Sequence, residues 1–100
     1  MSDYAASAKV FKAFCDENRL KIIDILRNGE KCAWEMLDSL HIGQSTLSHH
    51  MKILCESGVV DARKDGKCIY YSISETGRQD ALVLLYQITE LADKETITEE

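Results

Sequence analysis

Residues 44–71 read QSTLSHHMKILCESGVVDARKDGKCIYY, and the pattern of this stretch decides the fold. At about 100° per residue, Leu47, Met51 and Leu54 fall on one side of a helix and form an apolar stripe. The polar residues on the opposite side are Ser45, Ser48, His49, Lys52 and Glu56. The stretch therefore begins with a helix that buries one side and exposes short side chains rich in hydrogen-bond donors.

The pattern changes from helix to strand after Gly58. Two strand-like runs, VVDARK and KCIYYSI, are separated by Asp65-Gly66. Because an Asp-Gly link suits a type I′ turn, which needs positive φ at both central positions, it predicts a two-strand β-hairpin over residues 59–73. The second-strand side chains expected to face the core are Ile69, Tyr71 and Ile73.

Three further helices are predicted before this stretch. Their spans are residues 3–14, 16–28 and 32–40. Asp16 is the expected N-cap of the second helix and Gly29 its C-cap. The short link at residues 41–44 contains a glycine, as the elbow of a helix-turn-helix requires, and the next helix starts at Gln44 or Ser45. Residues 32–57 are expected to form the helix-turn-helix.

A last helix is predicted over residues 75–93, with Ser74 as its N-cap. Its apolar surface is wider than one stripe, which indicates that it covers a second surface as well as the core. A second copy of the chain is the simplest cover, so we expect a homodimer through this helix and the helix at residues 3–14. A single well-buried terminal helix is the alternative.

These elements predict a mainly α fold with a small β-hairpin, in the order of four helices, two strands and a fifth helix. A polar-faced helix followed by a basic hairpin is the layout of a winged helix-turn-helix, with the wing at about residues 59–73. At 100 residues the chain is expected to be one domain, residues 1–100. The sequence has neither a long apolar run nor the pattern of a secretory signal, so we expect a cytoplasmic protein without a membrane span.

The charge of the chain is unevenly distributed. The net charge is −5, but residues 42–71 carry four basic and three acidic side chains, a local balance of +1 that leaves −6 elsewhere. Attraction to phosphate depends on charge within about 8–10 Å, so the acidic total does not exclude nucleic acid as a partner.

Three segments together resemble the ArsR/SmtB family of winged-helix repressors. They are AFCDENRLKIIDILRNGEKC, QSTLSHHMKILCESGVV and KDGKCIYYSI, and the likeness covers about residues 8–74. The most specific piece is SxxSHHxxxLxxxGxV followed by a basic hairpin with paired tyrosines. The resemblance implies a homodimer that binds double-stranded operator DNA at an imperfect palindrome and releases it when a metal, metalloid or oxidant reaches the protein.

The resemblance also implies which residues meet DNA. Those of the helix expected to enter the major groove, and so to meet base edges or phosphates, are Gln44, Ser45, Thr46, Ser48 and His49. Lys52 would clamp a phosphate. The wing residues expected at the flanking backbone or minor groove are Arg63, Lys64 and Lys67. His50 lies at the edge of the apolar stripe, which favours packing or hydrogen-bonding support over base contact.

The sensing site departs from the family pattern. Where many family sensors carry a CxC element, this chain has Cys32-Ala33-Trp34, so one thiol matches. The last helix has no histidine for the second known type of site. We expect no required cofactor and a thiol-directed inducer, As(III) or another soft metal ion, with Cys32 and Cys55 the best candidate ligands and Cys15 next. An oxidant or persulfide acting on the same thiols is the alternative.

Two other classes of function are alternatives to the DNA-binding one, a protein-interaction module and an enzyme. A winged-helix protein-interaction module would use the acidic surface and the apolar last helix without contacting DNA. An enzyme is not expected, because Ser48 and His49 are neighbours that point about 100° apart on one helix, and no third group orients the imidazole.

Overall fold

The computed structural model describes residues 3–92, which contain five helices and three short strands. In chain order the elements are α1 (Tyr4–Lys12), α2 (Glu17–Leu26), β1 (Lys31–Cys32), α3 (Ala33–Leu40), α4 (Gln44–Glu56), β2 (Val60–Asp65), β3 (Cys68–Ile73) and α5 (Glu75–Ile88). The predicted mainly α fold with a small hairpin is confirmed, and α3, α4 and the β2–β3 hairpin follow one another as a winged helix-turn-helix requires.

The first, second and last predicted helices are longer than the observed ones at their C-terminal ends, whereas the third ends at Leu40 as predicted. The first helix ends at Lys12 and the second at Leu26. The last ends at Ile88, where the Thr89 hydroxyl donates to the Leu85 carbonyl at 2.7 Å and satisfies a terminal acceptor. Residue 93, the predicted end of this helix, lies outside the described residues. Asp16 precedes α2 as predicted, but its side chain does not cap the helix.

The predicted hairpin is formed by β2 and β3, and β1 adds a third strand that the sequence did not indicate, giving an antiparallel sheet in the order β1-β3-β2. Lys31 pairs with Tyr71, and Cys32 with Tyr70. A two-residue strand is too short to show periodicity in the sequence, which explains why it was missed. Because β1 runs directly into α3, it joins the wing to the first helix of the helix-turn-helix.

The predicted type I′ turn at Asp65-Gly66 is wrong. Asp65 pairs with Cys68, so the two loop residues are Gly66 and Lys67. Gly66 has a φ of +64°, whereas Lys67 does not take a positive φ. A positive φ at the first loop position only is the pattern of a type II′ turn, which needs glycine there.

The elbow of the helix-turn-helix also uses an unexpected residue. His41 ends α3 in the left-handed conformation, with a φ of +57°, and its N–H donates to the Leu37 carbonyl at 3.0 Å. Gly43, the residue expected to provide the turn, instead takes an extended conformation as the N-cap of α4. Histidine is among the residues that tolerate the left-handed region, so glycine was not needed.

The core lies between α2, α3, α4 and the sheet. Its buried members are Ala13, Ile22, Leu26, Met36, Leu47, Met51, Leu54, Val59, Val60 and Tyr71. The apolar stripe of α4 is therefore confirmed, since Leu54 is fully buried and Leu47 and Met51 nearly so. Tyr71 and Ile73 pack inward as predicted, whereas Ile69 is 39% exposed toward the tip of the hairpin.

The last helix packs against the rest of the fold at its N-terminal end. Ser74 is its N-cap as predicted, accepting a hydrogen bond from the Gly77 N–H at 3.0 Å. Gly77 lies so close to the backbone of Gly58 that a Cβ at position 77 would collide with it. Farther along, α5 has no buried residue, Leu84 is half-buried, and its exposed large apolar side chains are Leu82, Val83, Leu85, Tyr86 and Ile88. Within residues 3–92, no helix has the length and apolar character needed to cross a membrane.

Candidate nucleic-acid interface

The outward side of α4 presents a continuous polar surface. Its six residues predicted to meet DNA are all exposed: Gln44, Ser45, Thr46, Ser48, His49 and Lys52. No side chain caps the start of α4, so its first backbone N–H groups remain available at the exposed end of the helix. Free N–H groups and the positive end of the helix dipole both favour phosphate binding at this end.

The wing carries three exposed cations, and they do not share one face. Lys64 lies opposite Ile69 and Arg63 opposite Tyr70, so the two neighbouring side chains project from opposite faces of the sheet. Lys67 lies in the turn. In the described part of the chain, neither Lys64 nor Lys67 forms an ion pair.

Arg63, by contrast, is bound by carboxylates. Its guanidinium donates to Glu30 at 2.7 Å and 3.1 Å and to Asp65 at 3.4 Å. Its guanidinium carbon also lies 4.8 Å from the centre of the Tyr70 ring. The hydrogen bond and charge of Glu30 raise the pKa of Arg63, and the Arg63 hydrogen bond lowers the pKa of Glu30. The sequence indicated a DNA contact at this position but gave no sign of these partners.

Behind the polar surface, His50 attaches α4 to the first two helices. An Arg19 nitrogen lies 2.9 Å from His50 Nδ1, and both residues are buried. Arginine can only donate, so Nδ1 accepts and the imidazole is neutral with its proton on Nε2. Arg19 also donates to the Lys12 carbonyl at 3.1 Å and 3.3 Å, and His50 Nε2 lies 3.7 Å from Asp16 Oδ2. The supporting role predicted for His50 is confirmed.

This arrangement holds the neutral form of His50. Burial lowers its pKa, and the positive charge of Arg19 and the nearby His49 act in the same direction, while Asp16 opposes them. Asp16 Oδ2 is itself buried without a hydrogen-bond partner in the described region. Arg19 was missed by sequence reasoning because a single arginine within an apolar helix is usually solvent-exposed.

The four thiols lie in four different environments. Cys15 is exposed and donates to the Phe11 carbonyl at 3.4 Å. Cys32 is buried at the start of α3, where its N–H donates to the Glu35 carboxylate at 2.8 Å. Cys55 is half-buried, and burial together with Asp61 raises its pKa. Cys68 is half-buried in the wing. Within residues 3–92, no three His, Cys, Asp or Glu side chains form a group that could hold a metal ion.

The strand register brings one thiol near Cys32 that the sequence did not indicate. Cys32 lies opposite Tyr70, and Cys68 is two residues before Tyr70 on the same face of β3. Diagonal neighbours of this kind have Cα atoms about 7–8 Å apart, which exceeds the usual span of a disulfide. Cys68 and Cys32 both raise the pKa of Tyr70, Cys68 the more strongly. Only the two-residue strand β1 creates this proximity, so spacing along the sequence could not predict it.

A helix-turn-helix with a polar outer helix, continued by a cation-bearing wing, defines the winged helix-turn-helix class of DNA-binding regulators. Comparison with known proteins then identifies the family. Residues 16–62 match the family described as bacterial regulatory protein, arsR family. The chain belongs to the ArsR family of transcriptional regulators.

Individual relatives extend this likeness beyond the matched segment. An uncharacterized HTH-type transcriptional regulator of Methanocaldococcus jannaschii is 37% identical, over 88% of this chain and 100% of the relative. The arsenical resistance operon repressor of Staphylococcus aureus is also 37% identical, over 79% of this chain and 76% of the relative. The crystal structure of the transcriptional repressor BigR from Xylella fastidiosa has a TM-score of 0.64 at 32% identity, covering 84% of this chain and 86% of that one. These similarities confirm a transcriptional regulator rather than an enzyme.

Acidification is predicted to destabilise the fold through His50. Because the folded-state pKa of His50 is lowered from its ordinary 6.5, the unfolded chain takes up the proton first as the pH falls. The contribution of neutral His50 to the free energy of unfolding is therefore complete above pH 6.5. It is lost progressively as the pH falls from there through the lowered folded-state pKa. Urea titrations at about pH 7.5 and about pH 5.5 measure the loss as a lower midpoint at the acidic pH.

The matched variants are His50→Gln and His49→Gln. Glutamine at position 50 does not titrate, and its side-chain oxygen can accept from Arg19, so this variant should lose less stability on acidification than the original chain. His49 is exposed on the same helix and has the smallest of the effects that lower the pKa of His50, so His49→Gln should change the pH dependence far less than His50→Gln. An unchanged pH dependence in His50→Gln would contradict the assignment.

Proposed function

We propose that this chain is a dimeric transcriptional repressor that binds a palindromic operator through α4 and the wing and leaves it when a soft metal or metalloid reaches its thiols. The observation that carries the proposal is the row of short, exposed polar side chains on α4, supported from behind by a buried core and the Arg19–His50 hydrogen bond. Operator binding by family repressors supports it.

The proposed DNA contacts follow the geometry of α4 and the wing. The first turns of α4 provide hydroxyl and amide groups that can bind base edges, namely Gln44, Ser45, Thr46, Ser48 and His49. Lys52 on the same side would bind a phosphate, and Lys64 and Lys67 would reach the flanking backbone from the wing. Lysines without an ion pair in the described region keep their full attraction for phosphate.

The proposed dimer uses α1 and α5, the two helices also predicted for this role. Exposed large apolar side chains in this part of the chain are Tyr4, Leu82, Val83, Leu85, Tyr86, Ile88 and Leu91. Such a surface is costly to leave in water, and a second copy would cover it with the same surface about a two-fold axis. Two copies would present two α4 helices to successive major grooves, which explains the expected palindrome. In this proposal residues 1–100 form one DNA-binding domain.

Operator binding is predicted to depend on Lys64 and His49 in different ways. Lys64→Ala should weaken binding to all duplexes and reduce the slope of log affinity against log salt by about 0.9, because one phosphate contact is lost. His49→Ala should weaken binding to the operator by about tenfold while changing binding to a scrambled duplex much less. Fluorescence anisotropy on a labelled duplex from upstream of the gene measures both effects.

The control is Lys21→Ala, which removes an exposed cation of α2 that is paired with Glu17 at 3.4 Å and lies outside the proposed interface. It should leave the affinity and the salt slope unchanged. If the original chain fails to bind even at low salt, the repressor proposal fails, and the alternative of a protein-interaction module becomes the better one, since the net charge of −5 suits a basic partner.

The dimer is tested by placing a charge on α5. Leu85→Glu should shift the sedimentation equilibrium from dimer to monomer, because Leu85 is 49% exposed and a carboxylate there would be buried in the proposed interface. Leu20→Glu is the matched control, since Leu20 is equally exposed, at 50%, but lies on α2. A monomeric original chain, or a Leu85→Glu chain that remains dimeric, would disprove this interface.

The proposed inducer site includes Cys32, with Cys55 and Cys15 as further candidate members. Cys32 lies where β1 becomes α3, so a ligand bound there acts directly on the helix-turn-helix. Cys15 precedes Asp16, which faces His50 of α4. The raised pKa of Cys55 reduces its thiolate fraction at neutral pH, which weakens its case as a ligand. The arsenical resistance relative supports a soft metalloid as the inducer.

The spacing of Cys32 and Cys68 favours a bound ion over oxidation to a disulfide. Two thiolates can share one soft ion with their sulfur atoms up to about 4.6 Å apart, since each metal–sulfur bond is about 2.3 Å long. A disulfide needs a closer approach of the two Cα atoms than a diagonal strand pair allows. Sensing of an oxidant or persulfide by one of the four thiols remains the second candidate.

Arsenite is predicted to release the reduced protein from its operator, and Cys32→Ser should raise the arsenite concentration needed by about tenfold without changing the affinity for DNA. Serine replacements at Cys15, Cys55 and Cys68 rank the other thiols in the same anisotropy titration. Release by a persulfide donor but not by arsenite would favour the redox alternative. A Cys32→Ser chain that responds to arsenite like the original would exclude Cys32 from the site.

A further inference from the structure

Arg63 spans the full width of the wing sheet. It starts on the outer strand β2, its guanidinium lies over Tyr70 of the middle strand β3, and it ends at Glu30, the residue before β1. One side chain therefore connects both edges of a three-stranded sheet in the order β1-β3-β2. Such a crossing requires the long arginine side chain and a carboxylate at the far edge.

All three nitrogens of this guanidinium have a carboxylate partner. Nε and Nη2 bind the two Glu30 oxygens at 3.1 Å and 2.7 Å, and Nη1 binds Asp65 at 3.4 Å. The paired geometry with Glu30 is the two-point fork that makes arginine–carboxylate pairs specific in orientation. The guanidinium also makes a cation–π contact with the Tyr70 ring.

We propose that Arg63 is not a phosphate contact but, together with Glu30, forms a clasp that positions the wing for DNA binding. The clasp is defined as the Glu30–Arg63 pair lying across Tyr70. Glu30 is thereby a positioning residue, a role that its place in a turn before a two-residue strand does not suggest. This inference rests on the proposed DNA-binding function and replaces the role predicted for Arg63 from the sequence.

Charge balance argues against a phosphate contact at Arg63. The single positive charge lies between the carboxylates of Glu30 and Asp65, so the local sum is negative and offers phosphate no net attraction. A phosphate would have to displace Glu30 from a two-point hydrogen bond. Lys64, on the opposite face of the sheet and without an ion pair in the described region, meets no such competition.

The clasp completes the attachment of the wing to the helix-turn-helix. The first attachment is the chain itself, because α4 leads through Gly58 into β2, together with the packing of Val60 and Tyr71 in the core. The second is the pairing of β1 with β3, which rests on two residue pairs only. By connecting the turn before β1 to β2, the clasp ties together the two strands that do not pair with each other. Wing and helices then approach DNA in one fixed relation, which lowers the ordering cost of binding.

The test compares affinity and salt dependence in Arg63→Ala, Glu30→Gln and the charge-swapped double variant Glu30→Arg with Arg63→Glu. Both single variants should weaken operator binding by about two- to fivefold, the range of an exposed ion pair, with the salt slope unchanged. The swapped pair should bind more tightly than Glu30→Arg alone and Arg63→Glu alone, which are measured beside it. Lys64→Ala serves as the reference for a lost phosphate contact, with its slope reduced by about 0.9.

Two results would overturn the clasp. The first is a salt slope reduced by about 0.9 in Arg63→Ala together with tighter binding in Glu30→Gln, which would make Arg63 a phosphate contact masked by Glu30. The second is an affinity unchanged in both single variants.

Hydrogen exchange of the amides in the wing strands, measured without DNA, separates this inference from the proposed function. Glu30→Gln should speed exchange across β1 and β3, whereas Lys64→Ala should not. If the original chain binds no DNA, the proposed function fails. Faster exchange in Glu30→Gln would then still support the clasp, and unchanged exchange would contradict it.

Discussion

The buried hydrogen bond between Arg19 and His50 is the interaction on which the orientation of α4 depends. A guanidinium removed from water is stable only when its donors are satisfied, and here they reach the Lys12 carbonyl of α1 and the imidazole of α4. Hydrogen bonds to charged groups contribute about 1.5–3 kcal/mol, and losing one partner would leave a buried guanidinium N–H without an acceptor. Three helices are thus held in one arrangement by a side chain that itself contacts no ligand.

The same constraint divides α4 into two surfaces with separate tasks. His50 and the stripe of Leu47, Met51 and Leu54 face inward, and the polar residues between them face outward. In the proposed complex, short side chains such as Ser45 and Ser48 could not adjust their reach, so the backbone beneath them would set the distance from DNA. A rigid support is therefore a requirement of this surface. In the proposed function it would also let a signal that shifts α1, α2 or α3 change the affinity for DNA, since a ligand acts through the difference between two states.

Local patterns were sufficient for the architecture and insufficient for the contacts between distant segments. The stripe on α4, the cap at Ser74 and the inward Tyr71 follow from periodicity and turn chemistry within a few residues, and the structure agrees with them. The strand β1, the partner of Arg63 and the proximity of Cys68 to Cys32 depend on pairings between residues more than thirty positions apart. No local pattern reports such pairings. The turn at Gly66 was misplaced by one residue, which local chemistry permits because glycine suits either position.

These long-range contacts decide how the two parts of the interface can work together. Arg19 connects α4 to α1, Arg63 connects β2 to Glu30, and β1 lies between these two contacts because it ends where α3 begins. Cys32 is the last residue of β1, so it lies at the junction of both supports. A soft ion drawn to this thiol would need room beside Tyr70, over which the Arg63 guanidinium lies. With Tyr70 in its present position, an ion bound at Cys32 and the Glu30–Arg63 clasp would therefore compete for the same space. A repressor built this way would lose the position of its wing before it lost the fold of its helices.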